Sequence, residues 1–592
     1  MSARRRVGDE GVAAQVVVEA QALDRKRPRE ERGSCGFVEV AVRRWSRTLL
    51  NTGLRTAALI VVGGACDDAN EPKLPTKRVS STFVFSRDAF SFANFGGIAN
   101  GSAVSPEHMA RMFGKDTVCV PSAGSVCHLT PIAKEYLRAV NDSIHGGRCE
   151  GFAVLSGLAS RGEVDLAPFG ADDARSLVLD GNRALGAEIA YWFATQYLRD
   201  VVPRSTTPTD AVGAVELLYA AFQKKDHPMY RIGMARLDEE TGALSGGHAI
   251  LATYVAPGDD EGRYVIGVYD NNHPDAEREI VVDAEKNSWT YQASTNPDDP
   301  TTVYAGDPDN GNVLFLATVE PRQGEHPCTF CSLDEDDPQA LSQVFGSAST
   351  EIVAVHASGA RVGEHRGHFV DEHEHGHVLP SFTAACHDCR DGMHLVVPHD
   401  GAEGTLLEIR EALHAPIEDG ERVPLDVRFF GHGFTTTVEG ADVAGVDEVH
   451  LLDIEGGGDD VTFTSTPAEV DDVAVLSLAV EFSALEQVFV EARVQGSEVA
   501  RLLVDPVTAD ATIRIEGATA SGTTRMRVTR HSQDVVRTFS ADVPTPAGAR
   551  ASIVVDDSQQ GGDVVVLLDR DDDGVFEERL VLADLQVATE GL

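Results

Sequence analysis

From about residue 401 onward, the chain consists of short runs rich in β-branched residues, separated by Gly, Asp and Pro. Typical runs lie at 473–478, 511–515 and 563–567. Such runs are too short for an average helix, and strands separated by turn residues at this spacing are typical of β-sandwiches. The sequence therefore predicts all-β sandwich modules. Two modules of about 90 residues fit the available length, and we place them at residues 401–500 and 501–592.

The preceding residues have a mixed pattern. A chain of 592 residues is too long for one hydrophobic core, so several domains are expected. Residues 81–321 combine strand-like alternation, as at 83–92, with helical spacing, as at 188–198 and 207–222. Residues 322–400 are rich in Cys, His and acidic residues, and we interpret them as a connecting region. The expected fold class is a multidomain protein in which an α+β domain precedes the all-β sandwich modules.

The chain is strongly acidic. Its 94 Asp and Glu residues outnumber its 50 Lys and Arg residues, which leaves a formal net charge of −44. Phosphate groups repel such a chain, so we expect neither nucleic acid nor an anionic membrane surface as a partner. We attribute the acidity to solubility, and calcium-rich surroundings are the alternative.

The amino terminus has the pattern of an export signal. The basic stretch 43–47 precedes the apolar run 57–62, and three small residues then lead to Cys66. These are the parts of a secretory signal, and the run is shorter than the ~20 residues that span a membrane. Cys66 resembles the lipid-bearing cysteine of bacterial lipoproteins. We interpret residues 1–66 as an extension with a signal or lipoprotein-like segment and 67–80 as a linker. The expected location is outside the cytoplasm, either secreted or anchored to the cell envelope through Cys66.

Cys149 has the surroundings of a reactive thiol. It follows a pair of glycines, and apolar residues at helical spacing come after it: Phe152, Leu155 and Leu158. This pattern predicts that Cys149 lies in the first turn of a helix. Free N–H groups and the helix dipole at that end stabilise a thiolate. A cysteine that only fills a core would more often lie inside the periodic run.

A predicted hairpin brings an imidazole close to a carboxylate. His248 begins the apolar run 249–255, a turn follows at 257–262, and the run 264–269 returns. A turn centred at residue 259 or 260 places residue 270 or 272 opposite His248. Side chains alternate across a strand, so these two share a face while Asn271 points away unless a bulge intervenes. We prefer Asp270 as the partner of His248, with Asn272 as the alternative.

A cysteine at a helix start, a Gly-His-Ala strand and an Asp or Asn that ends the next strand resemble the papain-like cysteine peptidase fold. The set is most similar to bacterial C39-type peptidases with a Cys-His-Asp site, over roughly residues 81–320. The resemblance implies that Cys149 is the nucleophile and His248 the general base and then acid. It implies that Asp270, or Asn272, orients the imidazole.

Two departures from the papain-like pattern bear on activity. The Cys-Gly-Ser-Cys-Trp signature of papain is absent. The glutamine that donates to the oxyanion has no counterpart shortly before Cys149, where Asn141 and Ser143 are the nearby polar candidates. The backbone N–H of Cys149 can still supply one donor.

The other cysteines suggest cross-links or a metal. Cys119 and Cys127 are expected to form a disulfide, the usual state in an exported chain. Two C-x-x-C pairs follow, Cys328 with Cys331 and Cys386 with Cys389. They suit either two disulfides between the pairs or a structural zinc, although their separation exceeds that of a zinc ribbon. We interpret the histidines between the pairs as part of a solvated loop: His365, His368, His373, His375 and His377.

An acidic loop near the carboxyl terminus suits calcium. Asp569, Asp571 and Asp573 alternate before Gly574, and oxygen ligands at such spacing followed by a glycine are typical of calcium loops. The complete EF-hand motif is absent, because Leu580 stands where a bidentate Glu belongs. A metal-free acidic turn is the alternative.

Taken together, the patterns predict an exported cysteine peptidase that hydrolyses peptide (amide) bonds in a peptide or protein substrate without a cofactor in the reaction. Amide transfer by the same machinery is a close variant. The alternative is a cell-surface binding protein whose papain-like domain has lost catalysis and whose function resides in the β modules.

Overall fold

The structure is a computed structural model, and it describes residues 73–585 with gaps. The gaps are at 98–101, 121–125, 206–207, 238–243, 293–302, 308–313, 332–340, 348, 374–375, 381–391, 399–403, 413–424, 442–448, 456–457, 459, 466–472, 484–485, 496–498, 505–510, 517–521, 533–534, 546–549, 556–563, 570–574, 576–577 and 582. The expected signal segment, Cys66, Cys386, Cys389, Asp571 and Asp573 therefore lie outside the described residues.

Helices dominate the first part of the described chain. They are α1 (Phe85–Asp88), α2 (Pro106–Phe113), α3 (Lys115–Val118), α4 (Pro131–Ser143), α5 (Cys149–Ser160), α6 (Arg183–Ala194), α7 (Val202–Ser205) and α8 (Ala211–Phe222). The helix expected within 207–222 is α8, and the Asp210 side chain caps it by accepting the Gly213 N–H at 2.6 Å. None of the helices within the described ranges combines the length and apolar composition needed to cross a bilayer.

An antiparallel sheet is formed mainly by strands that follow the helices. Its strands are β1 (Val79–Ser80), β2 (Pro208–Thr209), β3 (Tyr230–Leu237), β4 (Leu244–Pro257), β5 (Arg263–Tyr269), β6 (Arg278–Asp283), β7 (Ser288–Gln292), β8 (Val303–Gly306) and β9 (Leu314–Thr318). They are ordered β2-β9-β3-β4-β5-β6-β7-β8, with β1 paired to β4. Helix α8 covers one side of this sheet through an apolar core. Helix α5 packs against β4, so the predicted thiol-bearing helix and the predicted imidazole-bearing strand are neighbours.

Helix α5 packs very closely against α6 at Gly151. A Cβ on Gly151 would lie 2.1 Å from the Ile189 carbonyl oxygen and 2.9 Å from the Phe193 nitrogen. Backbone atoms of a buried helix cannot move aside as a flexible side chain can. This glycine therefore determines how near the start of α5 lies to the rest of the helical core.

Replacement of Gly151 by Ala is expected to lower the free energy of unfolding by about 1–3 kcal/mol, because the added methyl group overpacks the helix contact. The matched control is Gly157→Ala in the same helix, where the nearest atom is the flexible Leu251 Cδ1 at 3.2 Å. We expect a smaller loss there, because Ala also favours helix. Chemical denaturation of both variants provides the measurement. Equal losses at the two sites would contradict the role of Gly151 in close packing.

The remaining strands form two large antiparallel sheets that enclose an apolar core. The strands up to residue 464 are β10 (Leu341–Gly346), β11 (Thr350–His356), β12 (Arg361–His365), β13 (His368–Asp371), β14 (His377–Pro380), β15 (Met393–Pro398), β16 (Thr405–Glu411), β17 (Leu425–Gly431), β18 (Phe434–Ala441), β19 (His450–Glu455) and β20 (Asp460–Thr464). Those that follow are β21 (Val473–Ser483), β22 (Glu486–Gln495), β23 (Val499–Val504), β24 (Ala511–Glu516), β25 (Gly522–Ser532), β26 (Val535–Thr545), β27 (Arg550–Val555), β28 (Val564–Asp569), β29 (Glu578–Val581) and β30 (Ala583–Leu585).

Hairpins alternate between the two sheets. One sheet has the order β14-β15-β10-β17-β18-β21-β22-β25-β26-β30, and the other has the order β13-β12-β11-β16-β19-β20-β23-β24-β27-β28-β29. Successive hairpins of one sheet, β17–β18, β21–β22 and β25–β26, begin about 50 residues apart, which is a repeat length that the residue patterns did not reveal. The all-β, sandwich-like character predicted from the sequence is thus present, and both sheets continue across residues 400 and 500.

Three expectations about local structure require correction. Residues 322–400 contain β10 to β15, which pair within these two sheets, because polar side chains can occupy the outer faces of strands. Residues 79–80 of the expected linker form β1 on the edge of β4. The segment 83–92 is not a strand but the short helix α1 and irregular backbone. Phe90 and Phe92 of this segment pack on Phe152 of α5.

Aromatic and polar contacts join the helical region to the sandwich. Phe330, in the connection between them, stacks on Tyr136 of α4 with ring centroids 4.2 Å apart. The Tyr136 hydroxyl donates to Gln343 Oε1 on β10 at 3.1 Å. Glu481, on β21, accepts the N–H of Ile132 at the start of α4 at 2.8 Å. Buried contacts of this kind hold the two regions together as one packed body.

Candidate active site

Helix α5 begins at Cys149, as the sequence predicts. The residue is fully buried, and it belongs to neither disulfide of the described structure. Its Sγ accepts the N–H of Ala249 at 3.3 Å. The thiol therefore lies at a helix amino terminus and against the residue that follows His248 on β4.

His248 hydrogen bonds to Asp270. Nε2 of the imidazole lies 2.8 Å from Oδ1 of Asp270, and both side chains are almost completely buried. An ionised carboxylate can only accept, so Nε2 carries the proton of this hydrogen bond. The other ring nitrogen, Nδ1, is buried and has no hydrogen-bond partner among the described residues. In a neutral imidazole held this way, Nδ1 is the basic atom.

Asp270 comes directly after β5 and begins a turn closed by the His273 N–H to Asp270 O hydrogen bond at 2.9 Å. Its carboxylate also accepts the Asn272 N–H at 2.8 Å and the Tyr291 hydroxyl. Burial alone would raise the pKa of Asp270, but the charge and hydrogen bond of His248, with smaller effects from other neighbours, lower it to about 2. Asp270 is therefore ionised at neutral pH.

The hairpin prediction is largely confirmed. Strands β4 and β5 pair antiparallel, with Leu251 opposite Tyr269. If this register is extended beyond the end of β5, residue 272 lies opposite His248. Strand β5 ends at Tyr269, however, so the side chain that reaches the imidazole is Asp270 and not its alternative, Asn272. The hydrogen bond from Asn272 to this carboxylate comes from its backbone.

Asn271 was expected to point away from the site unless a bulge intervened. The β4–β5 pairing has a register shift between Ala252 and Tyr254, and Asn271 points into the site. Its Nδ2 donates to the carbonyl oxygens of Cys149 at 3.2 Å and Ala249 at 3.1 Å. The reason is that the turn after β5 interrupts the alternation of side chains. Asn271 thereby ties helix α5 to strand β4 directly beside the thiol.

Asn94 also lies near the thiol, and its sequence neighbours do not predict this position. Its Oδ1 accepts the Arg148 N–H at 2.8 Å, and its own N–H donates to Asn271 O at 3.0 Å. The Asn94 side chain therefore lies at the amino end of α5 although it is distant in sequence. No local motif marks this residue, because the contact depends on the fold.

The two polar residues suggested earlier as oxyanion donors are engaged elsewhere. Asn141 bonds through its side chain to both the N–H and the carbonyl of Val104, at 2.9 and 3.1 Å. Ser143 donates to Val140 O at 2.7 Å and accepts from the Tyr197 hydroxyl at 3.0 Å. These contacts stabilise the helical core.

Charged residues flank the thiol on both sides. Arg148, which precedes it, is fully buried, and its guanidinium donates to Phe95 O at 2.7 Å and to Ser102 O at 3.1 Å. Glu150, which follows it, is fully buried between Arg231, at 2.9 Å, and Arg322. Burial lowers the pKa of Arg148 and of Arg322 to about 10, so both remain charged at neutral pH.

The cysteine pairs are only partly as expected. Cys119 and Cys127 form the predicted disulfide. Cys328 and Cys331 are bonded to each other, so neither is available to a zinc ion or to a second C-x-x-C pair. The two-residue spacing places their Cα atoms 5.6 Å apart, within the range that a disulfide spans. For these two cysteines, both the zinc site and the cross-pair disulfides were wrong.

Neither the histidines expected in a solvated loop nor the acidic loop forms a metal-binding group within the described structure. His365, His368 and His377 lie on strands β12, β13 and β14 instead of in a loop. Asp569 ends β28, and the rest of the acidic loop is outside the described residues. Among the residues that the structure describes, no group of three or more His, Cys, Asp or Glu is arranged to hold a metal ion.

The site brings together a thiol at a helix terminus, an imidazole with a basic nitrogen and a buried carboxylate that orients it. Such a set can activate a sulfur nucleophile and pass a proton. A scan against protein-family models and searches of curated proteins and of solved structures found no match to this chain.

Proposed function

We propose that residues 81–321 form a papain-like cysteine peptidase domain and that the protein is an exported peptidase that hydrolyses peptide (amide) bonds. The observation that carries the proposal is the hydrogen bond between His248 and Asp270 beside a thiol at the start of α5. The packing of α5 against β4 supports it, because papain-like enzymes hold thiol and imidazole on such a helix and strand.

In the proposed reaction, the Cys149 thiolate attacks the carbonyl carbon of the scissile amide. Protonated His248 gives its Nδ1 proton to the leaving amine as the C–N bond breaks, which leaves a thioester and neutral His248. His248 then takes a proton from water while the water oxygen attacks the thioester. Collapse releases the carboxylic acid and restores the thiolate and the protonated imidazole. Asp270 orients the ring and stabilises its charge throughout.

The amino end of α5 is where the oxyanion of this reaction would form. The Cys149 N–H is one donor of the proposed oxyanion hole. The Asn94 side chain lies at the same end of the helix through its bond to Arg148 N–H, so we assign the second donor to the Asn94 amide. This assignment replaces the glutamine that papain-like enzymes carry shortly before the nucleophile.

Replacement of Asn94 by Ala is expected to lower kcat by about 10²–10³-fold with a small change in KM, because the lost donor acts on charge that develops in the transition state. Steady-state kinetics provide the measurement. Asn141→Ala is the matched control, since that amide bonds to Val104 and should affect stability only. Equal loss of kcat in both variants would refute the assignment.

Two disulfides in the described structure support an oxidising compartment. This agrees with the export signal expected in residues 1–66. Whether the mature chain is secreted or carries a lipid on Cys66 is tested by mass spectrometry of the protein recovered from cell-envelope and culture fractions.

The decisive experiment is covalent labelling by a peptidyl epoxide, with Cys149→Ala as the control. The proposal expects rapid labelling at Cys149 and a parallel loss of casein hydrolysis, both absent in the variant. If Cys149 reacts no faster than a simple thiol, or if the variant still hydrolyses casein, the protein is not a cysteine peptidase of this kind. Aminolysis products in the presence of added amines would indicate amide transfer by the same site.

One observation favours the second candidate, a binding protein with an inactive papain-like domain. Cys149 is 0 % exposed and His248 is 1 % exposed, so a substrate reaches them only if neighbouring residues move. A binding protein predicts no epoxide labelling at any pH at which the protein is folded. The same labelling experiment therefore separates the two candidates.

A further inference from the structure

Phe315 packs beside the candidate site, although it lies on a different strand from His248. The apolar cluster at the thiol consists of Cys149 and Ala249, which are both fully buried, and of Phe315, which packs against that pair and is only partly buried. Within the described structure, Phe315 is therefore the member of this cluster that extends from the buried thiol toward the surface.

The register of the sheet explains how the ring reaches this position. Gly233 on β3 is paired with Phe315 on β9 and also with Ala249 on β4. Paired residues share a face of the sheet, and this face is opposite to α8, because Leu314 and Leu316 pack in the core that contains α8. Gly233 has no side chain to separate its two partners, so the Phe315 ring can extend across it to Ala249.

Buried residues beside the thiol hold the backbone of Phe315 in place. The Phe315 carbonyl oxygen accepts a hydrogen bond from Arg231 Nη1 at 3.0 Å, and Arg231 also contacts the Glu150 carboxylate at 2.9 Å. Arg231 and Glu150 are both fully buried, and Glu150 follows Cys149 in α5. Because breaking buried charge-assisted hydrogen bonds is costly, we expect the Phe315 ring to move by rotation of its side chain and not by displacement of β9.

The same ring also packs against the apolar core of the sandwich. Helix α7 packs against both β9, which carries Phe315, and β14, which lies at the end of one sandwich sheet. The Phe315 side chain therefore has contacts on two sides, with the cluster at the thiol and with the sandwich. Protein interiors are close-packed, so the ring can turn away from the thiol only if residues of the sandwich core move with it.

We propose that Phe315 is a gate over Cys149 and that the sandwich holds this gate closed. In the closed position, the ring contributes to the complete burial of the thiol. A ligand reaches Cys149 when the ring turns away, and the sandwich determines how often this occurs. The sandwich thereby regulates access to the candidate site. This inference rests on the proposed function only for the identity of the site, and its test uses no substrate.

Alkylation by iodoacetamide tests the gate, because this reagent is too small to displace the ring and reacts with any accessible thiolate. The rate is followed by mass spectrometry of the peptide that contains Cys149, on the upper plateau of the pH–rate profile, where the thiol is fully ionised. Phe315→Ala is expected to raise this rate by about tenfold or more, because the reaction no longer waits for the ring to turn. Phe315→Leu keeps most of the packing and should raise the rate in the same direction even if Phe315→Ala does not fold.

Leu316→Ala is the matched control for the gate. It removes an apolar side chain from the same strand, on the face toward α8. We expect the alkylation rate of this variant to stay within about twofold of the wild-type rate, because local loosening on that face does not uncover the thiol. Equal rates in the Phe315 and Leu316 variants would show general loosening of the strand and would overturn the proposal.

Hydrogen exchange tests the role of the sandwich. An acetamide group on Cys149 prevents the ring from returning to its closed position, so backbone amides of β14 and β15 should exchange faster in the alkylated wild-type protein. The same treatment should leave these amides unchanged in Phe315→Ala, and Cys149→Ser corrects for reaction at other cysteines. Coupling between two sites is reciprocal, so unchanged exchange in the alkylated wild-type protein would overturn the role of the sandwich. A gated thiol without casein hydrolysis would sustain this inference while refuting the peptidase proposal, so the two failures are distinguishable.

Discussion

Replacement of Asp270 by Asn is expected to reduce kcat by about 10³–10⁴-fold while the fold is retained. The amide cannot stabilise the positive imidazole, and an amide NH₂ facing Nε2 favours the tautomer with its proton on Nδ1. In that tautomer Nδ1 already carries a proton and cannot accept one from water, while the basic Nε2 faces residue 270. Because the pKa of Asp270 is lowered to about 2, the wild-type carboxylate stays ionised over the whole range in which activity is measured. Casein hydrolysis under substrate saturation provides the measurement.

Asn272→Ala is the matched control for this prediction, because Asn272 contacts the carboxylate through its backbone. We expect it to change kcat far less than the Asp270 variant does. If Asn272→Ala lost as much activity and Asp270→Asn kept most of it, the carboxylate would not be the orienting group. The site would then have to be reassigned to the amide that the sequence offered as the alternative.

Replacement of Glu150 by Ala is expected to lower the free energy of unfolding by about 3–5 kcal/mol, because it leaves the buried charges of Arg231 and Arg322 uncompensated. The loss of the carboxylate also leaves two buried hydrogen-bond donors, one on Arg231 and one on Arg322, without their acceptor. Urea denaturation followed by tryptophan fluorescence is a suitable measurement. Trp192 and Trp289 lie in the helical region and its sheet, and no tryptophan lies in the sandwich.

The control for Glu150 is an ion pair of the same chemistry at the surface. Arg361 and Glu372 are 2.7 Å apart and both are more than 40 % exposed, so Glu372→Ala should leave the urea midpoint nearly unchanged. A Glu150 variant as stable as the wild type would show that water compensates the charges of Arg231 and Arg322 in solution.

Local signals in the sequence were sufficient for three parts of the structure. Glycines before Cys149 and apolar spacing after it predicted the start of α5, because helix termini depend on neighbouring residues. The two strands and turn around residues 249–269 predicted the hairpin and hence the neighbourhood of His248 and Asp270. The Cys119–Cys127 disulfide follows equally from short spacing.

Other parts depended on contacts between distant segments. Asn94 and Arg148 are 54 residues apart, and Glu150 meets Arg322 across 172 residues. No periodicity links such pairs. The side chain of Asn271 could not be placed, because the exact end of β5 decides which way it points. The Cys328–Cys331 pair was misassigned because spacing alone suits both a metal and a disulfide.

The sequence by itself therefore determined the local elements: a thiol at a helix start, an imidazole on a hairpin, and a long series of strands after the helices. Hydrogen-bond periodicity and turn chemistry act over a few residues, so a linear pattern reveals them. Only the tertiary structure decided which carboxylate reaches His248, which amide lies at the amino end of α5, and which buried charges surround Cys149. Those choices depend on packing and desolvation, which bring together residues that the chain keeps far apart.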